Sequence, residues 1–197
     1  MRASVCARRV AGVRPSRRIR LRVAPAIVLV TAAAGVGAVP AEAGVIAAAA
    51  QSCVAADTDP GAESDVVLRR SVRCIVNSAR RARGLPVLLR SRRLGRAAAA
   101  HAADMVANHY FAHERPGWTL TSRLSAVGWT RDAAEAIAFG CGGLGTPAAV
   151  VSSWTTSPPH RAILLSTAFR RAGIGLAVGS PLTMPCTAAG TWVLDAG

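Results

Sequence analysis

Ser157 and His160 stand three residues apart, a spacing at which a hydroxyl nucleophile and a general base can meet on one helical turn. No nucleophile elbow surrounds them and no third member is visible, while Pro158-Pro159 accounts for the segment as a helix terminator. The pair is therefore not read as catalytic. His101 lies on an apolar stripe between Leu94 and Met105, which predicts a core histidine with satisfied nitrogens rather than a ligand. His109 is expected at an exposed helix end, where a cation suits the dipole. Cys53, Cys74, Cys141 and Cys186 contain no CxxC pair, which argues against a thiolate zinc site. Arg80, Arg81, Arg83, Arg90, Arg92, Arg93 and Arg96 put seven cations into 17 residues. Such a run can contact phosphate on nucleic acid, a wall polymer or a membrane surface, although a solvated helical face is its ordinary use. The lack of interleaved aromatic residues counts against nucleic acid.

Amphipathic helices must position these groups. From Ser64, the positions Leu68, Val72, Ile75, Val76 and Ala79 recur at helical spacing, with Arg69, Arg70, Arg73, Arg80 and Arg81 mostly on the other face. Gly84, then Leu85-Pro86, supplies the stop. Ser91 can cap a second helix ending near Asn108, and Thr119 or Thr121 a short third one ending at Gly128. Thr146-Pro147 reads as cap and first helical position of a helix that buries Val150, Val151 and Trp154 and breaks at Ser157-Pro158-Pro159. Gly173–Val178 and Thr191–Leu194 read as strands able to pair antiparallel. Helices first and strands late imply an α+β fold with a small sheet covered by helices.

All 24 basic residues are arginine, as GC-rich coding would favour, and the formal net charge is +14. Residues 1–43 hold eight of those arginines and only Glu42, leaving 16 arginines against nine acids, or +7, for residues 44–197. A positive start, the uncharged run Val23–Ala41 and the small-residue site Ala41-Glu42-Ala43 predict an export signal cleaved after Ala43. An uncleaved anchor is the alternative, which Pro25 and Pro40 disfavour; Ser16-Arg17-Arg18 leaves the export route open. Export also argues against nucleic acid and places the four remaining cysteines in an oxidising compartment, where two disulfides are expected. Three connectivities are open. Cys53–Cys74 with Cys141–Cys186 is favoured because it ties an N-terminal arm to the first helix and joins two late loops. Residues 44–63 are expected as a flexible arm until Cys53 is tied down, and residues 64–197 as one domain.

The ordered text of that domain resembles the bacterial, SCP-like branch of the CAP superfamily, which groups cysteine-rich secretory proteins, antigen 5 and pathogenesis-related 1 proteins. The resemblance is carried by Cys74-Ile-Val-Asn77 with Arg80 and Gly84-Leu85, and by Leu94 to Ala97, His101, Asp104 and Met105. It continues through Phe111-Ala112-His113, Ala134-Glu135-Ala136-Ile137-Ala138, Trp154-Thr-Thr-Ser157-Pro-Pro-His160-Arg161, Gly173-Ile-Gly175 and Trp192-Val-Leu-Asp195-Ala-Gly197. Each block is weak, and their order over about residues 65–197 is what is specific. The chain departs from the family at Ala134 and Ala136, where glycine and asparagine flank the acid, and within Ala162-Ile163.

The resemblance implies a three-layer α-β-α sandwich with a mainly antiparallel sheet, and a ligand-binding cleft lined by His113, Glu135 and His160, with Ser157 where a second acid can stand. Two imidazoles and a carboxylate could hold a divalent ion such as zinc. The same three residues could equally form a hydrogen-bonded structural cluster. The expected protein is a secreted or cell-surface binding module for a lipid-like, cell-wall or protein ligand, more than an enzyme. The alternatives are a metal-dependent extracellular hydrolase and a basic surface adhesin for anionic polymers.

Overall fold

The computed structural model describes residues 5–9, 44, 47–48 and 50–197. Most of the expected export signal, including its cleavage site and apolar run, lies outside these residues. Among the described residues no helix is long and apolar enough to cross a membrane.

The heptad-like apolar spacing after Ser64 produces α1 (Asp65–Arg81), whose Leu68, Val72, Ile75, Val76 and Ala79 are all buried. The helix stops where Gly84 takes a φ of 67°, a left-handed conformation that costs glycine nothing. Both ends of the Asn77 amide hold the backbone of Leu88, accepting from its N–H at 2.8 Å and donating to its carbonyl at 3.1 Å. That clamp delivers the chain into β2 (Leu89–Arg90).

Arg80 departs from the expected solvent face and is fully buried. Its Nε donates to the Pro86 carbonyl (2.7 Å) and one terminal nitrogen donates to the carbonyls of Leu164 (2.6 Å) and Ser166 (3.0 Å). Those last two carbonyls lie at a helix C-terminus, where no helical N–H reaches them, and a guanidinium fork can serve several acceptors at once.

Ser91 caps α2 (Arg92–Ala107) by accepting from Leu94 N–H at 3.3 Å. Thr119 starts α3 (Leu120–Ala126) with a reciprocal capping box to Ser122. Thr146 accepts from Ala149 N–H at the start of α4 (Pro147–Thr156). Ser157-Pro158-Pro159 does end α4, but the same prolines open a further helix, α5 (Pro158–Leu164), because proline suits the first helical turn as well as it terminates the previous one.

The sheet runs β1 (Val5–Arg9), β3 (Ala134–Cys141), β5 (Ala189–Ala196), β4 (Arg171–Val178), β2, all antiparallel except the β2–β4 pair. β1 falls inside the expected export signal, so cleavage after Ala43 would leave β3 as the sheet edge. The antiparallel β4–β5 pair is as expected; β3 is a mid-chain strand where none was foreseen.

Period-two alternation then sorts the faces. Ala134, Ala136, Ala138, Trp192, Leu194 and Ala196 pack with α1, α4 and α5, whereas Ile137 and Val193 pack with Ala98, Ala102 and Met105 of α2. Helices on both faces make the α+β protein a three-layer α-β-α sandwich. Both expected disulfides form, Cys53–Cys74 with Cα atoms 5.9 Å apart and Cys141–Cys186 at 5.5 Å. From Ala50 onward the expected arm is docked, with Ala50, Cys53 and Ala56 in the core and Ala148 N–H donating to the Ala56 carbonyl at 2.9 Å.

Candidate functional site

Glu135 sits at the odd, α2-facing positions of β3, opposite Asp195 of β5, and both carboxyl groups are fully buried. Three elements send donors to it. His101 of α2 reaches Oε2 through Nδ1 at 2.7 Å, His113 of the loop after α2 reaches Oε1 through Nδ1 at 2.8 Å, and Arg123 of α3 donates to Oε2 at 2.6 Å. The loop that carries His113 is itself fastened: Arg123 donates to the His113 and Trp118 carbonyls at 3.0 and 3.2 Å. Asp104 anchors the same loop by accepting from Tyr110 and, through both oxygens, from Arg115.

Burial alone would push the Glu135 carboxyl up, but the His101 and His113 hydrogen bonds and the positive charge of Arg123 outweigh it and hold it at about 2. Asp195 has no such donors. Burial first, then the Glu135 charge, pushes its carboxyl well up, and neither of its oxygens has a hydrogen-bond partner. A protonated Asp195 carries an O–H that its neighbour Glu135 can accept.

His101 is buried as expected of a core histidine, with Nε2 on the Ala112 carbonyl at 3.1 Å. Both its partners are acceptors, so the two bonds coexist only when each ring nitrogen carries a proton. His113 differs. With Nδ1 committed to Glu135, its Nε2 is buried and without a hydrogen-bond partner.

His113 and Glu135 are thus joined by a hydrogen bond. His160 is fully buried at the α4–α5 junction, where its Nδ1 lies 2.8 Å from Ser157 Oγ, a bond between neighbouring turns. His109 is exposed beyond the end of α2, with a φ of 50°. Among the described residues, no group of three or more His, Cys, Asp and Glu side chains is arranged to hold a metal ion. The expected set His113, Glu135 and His160 is not brought together as such a group: His113 Nδ1 faces Glu135, and His160 Nδ1 faces Ser157. Sequence reasoning missed Arg123 and Asp195 as site members. Asp195 had a usable signal, an acid two residues from Val193 inside an apolar strand. Arg123 had none, since nothing distinguishes it from the exposed arginines.

The family model for the cysteine-rich secretory protein family, CAP, matches residues 75–195, and the chain belongs to that family. Solved structures share the fold. An extracellular protein containing an SCP domain from Bacillus anthracis is 23% identical with a TM-score of 0.55, over 69% of this chain and 44% of that one. An outer surface protein from Borrelia burgdorferi is 20% identical (TM-score 0.55; 64% and 88% covered). A cysteine-rich secretory protein from Staphylococcus aureus is 18% identical (TM-score 0.53; 68% and 39% covered). The chain spans less than half the length of the first and third of these. No curated protein sequence matches it.

Proposed function

We propose that the protein is a secreted or cell-surface binding module, which uses the CAP scaffold to hold a lipid-like, cell-wall or protein ligand without turning it over. The observation supporting this is the engagement of Glu135 by three donors, from α2, α3 and the loop between them. A carboxylate held at about 2 by those donors is a poor general base, since a catalytic base works best near the operating pH. The cluster instead fixes the loop that presents His113. His113 keeps 7% of its surface exposed, more than His101, Glu135 or Arg123, and is the side chain assigned to the ligand. The extracellular and outer-surface descriptions of the structural neighbours support the location.

Native mass spectrometry of the oxidised protein, purified from a secreting host, is expected to find a retained ligand that His113→Ala releases. Calorimetric zinc titration is expected to give the same heats for both proteins. Zinc-dependent turnover of an ester or amide that disappears in His113→Ala and in His160→Ala would overturn this reading in favour of the hydrolase.

A further inference from the structure

Away from the Glu135 cluster, the chain builds a cavity of about 500 Å³ between α1 and α2 at the β2 edge of the sheet. It exists because β2 is only two residues long: it pairs with Arg171 and Ala172, and β4 runs on past it as far as Val178. Six arginines line the space: Arg69, Arg70 and Arg73 from α1, Arg90 from β2, and Arg92 and Arg96 from α2. The floor is small, with Gly95, Gly173 and the hydroxyl-bearing Ser91. Among the described residues, no acid forms an ion pair with any of the six. Arg73 feels the crowding most, its pKa lowered by burial and then by the charges of Arg90 and Arg70.

A solvated basic face spreads its charges outward over a convex surface. Here guanidinium groups from three separate elements converge on a concavity, and like charges drawn together without a counter-ion destabilise the fold. Arg90, Arg92 and Arg96 belong to the dense run at residues 80–96, and the fold brings the three arginines of α1, which lie outside it, to face them. Guanidinium forks match phosphate oxygens in paired hydrogen bonds, and several of them suit a ligand with several phosphates.

We infer that the cavity between α1 and α2 is a binding site for a compact polyanion bearing two or more phosphate groups, either a free oligophosphate or an anionic lipid headgroup. It is independent of the ligand site proposed at His113, and either can fail without the other.

The test uses inorganic tripolyphosphate by calorimetry, and co-sedimentation with vesicles containing cardiolipin, whose headgroup bears two phosphates, beside phosphatidylcholine ones. Wild-type protein is expected to bind tripolyphosphate. The double variant Arg73→Gln/Arg96→Gln is expected to bind it about tenfold or more weakly, from the loss of two charge-assisted contacts. Arg81→Gln/Arg131→Gln, which removes the same charge elsewhere, is expected to bind as wild type. Vesicle binding lost in the first variant identifies a lipid headgroup as the source; tripolyphosphate binding without vesicle binding identifies a soluble one. If Arg73→Gln/Arg96→Gln does not fold, the exposed pair Arg70→Gln/Arg92→Gln serves, with folding checked by far-ultraviolet circular dichroism. Equal losses in pocket and control variants, or no loss in either, would overturn the site in favour of diffuse charge. Octaglutamate binding as tight as tripolyphosphate would overturn it in favour of an acidic peptide.

Discussion

Two acids face each other across β3 and β5, and their surroundings drive them in opposite directions. Glu135 is lowered, so its contribution to stability is present above its ordinary value of 4.5 and is lost as pH falls toward about 2. Asp195 is raised, so the folded state holds its proton longer than the unfolded chain does. Its contribution is complete below 3.8 and is lost as pH rises through the folded-state value. Asp195→Asn keeps the size and removes the titration, so it should be more stable than wild type above pH 3.8, by a margin that widens with rising pH. Urea unfolding of both proteins across the pH range measures this, and a constant or shrinking margin would refute it. The amino-acid text made His113, Glu135 and the burial of His101 legible, because a family pattern or an apolar stripe marks each of them. It could not reveal that His101 and His113 share one carboxylate, or that Arg80 and Arg123 are interior cations. Which arginine turns inward depends on acceptors that folding delivers: for Arg80 the distant carbonyls of Leu164 and Ser166, and for Arg123 the Glu135 carboxylate together with the nearby His113 and Trp118 carbonyls.

At the scale of elements, α1 was legible from its apolar stripe and α2, α3 and α4 from caps at Ser91, Thr119 and Thr146, which are local chemistry, whereas α5, with no side-chain cap of its own, was not. Strand β3 was not. Its residues are buried on both faces, so Ala134-Glu-Ala-Ile-Ala-Phe shows no polar alternation to mark a strand. The short β2 is likewise defined only by its partner. Where α2 crosses β4, the α2-facing positions are Gly173 and Gly175, and a Cβ on either would collide with helix backbone, of Leu94 and Gly95 in the first case and Ala98 and Ala99 in the second. The glycines therefore set how close α2, with Ser91 and His101 on it, comes to the sheet. Gly175→Ala should cost about 1–3 kcal/mol or more, because the backbone of a helix cannot rotate away as a side chain can. Thermal or urea denaturation reads the loss, and a variant as stable as wild type would show that α2 is free to shift.

For the whole molecule the deciding quantity is unbalanced charge. Residues 44–197 carry 16 arginines against nine acids. Glu135 is buried against the interior Arg123, so it offsets none of the surface arginines. Self-repulsion of this kind lowers stability and is screened by salt, over a distance of about 10 Å at 0.1 M. The melting temperature should therefore rise between low salt and about 0.5 M sodium chloride, a range over which that screening length falls to roughly 4 Å. Six arginines converge on the α1–α2 cavity, so Arg73→Gln/Arg96→Gln should melt higher than wild type in low salt and gain less from added salt. Differential scanning calorimetry of the two proteins over a chloride series checks both statements. A salt response of the same size in wild type and variant would place the repulsion elsewhere on the surface, and would remove the energetic ground for treating that cavity as a place where the fold waits for an anion.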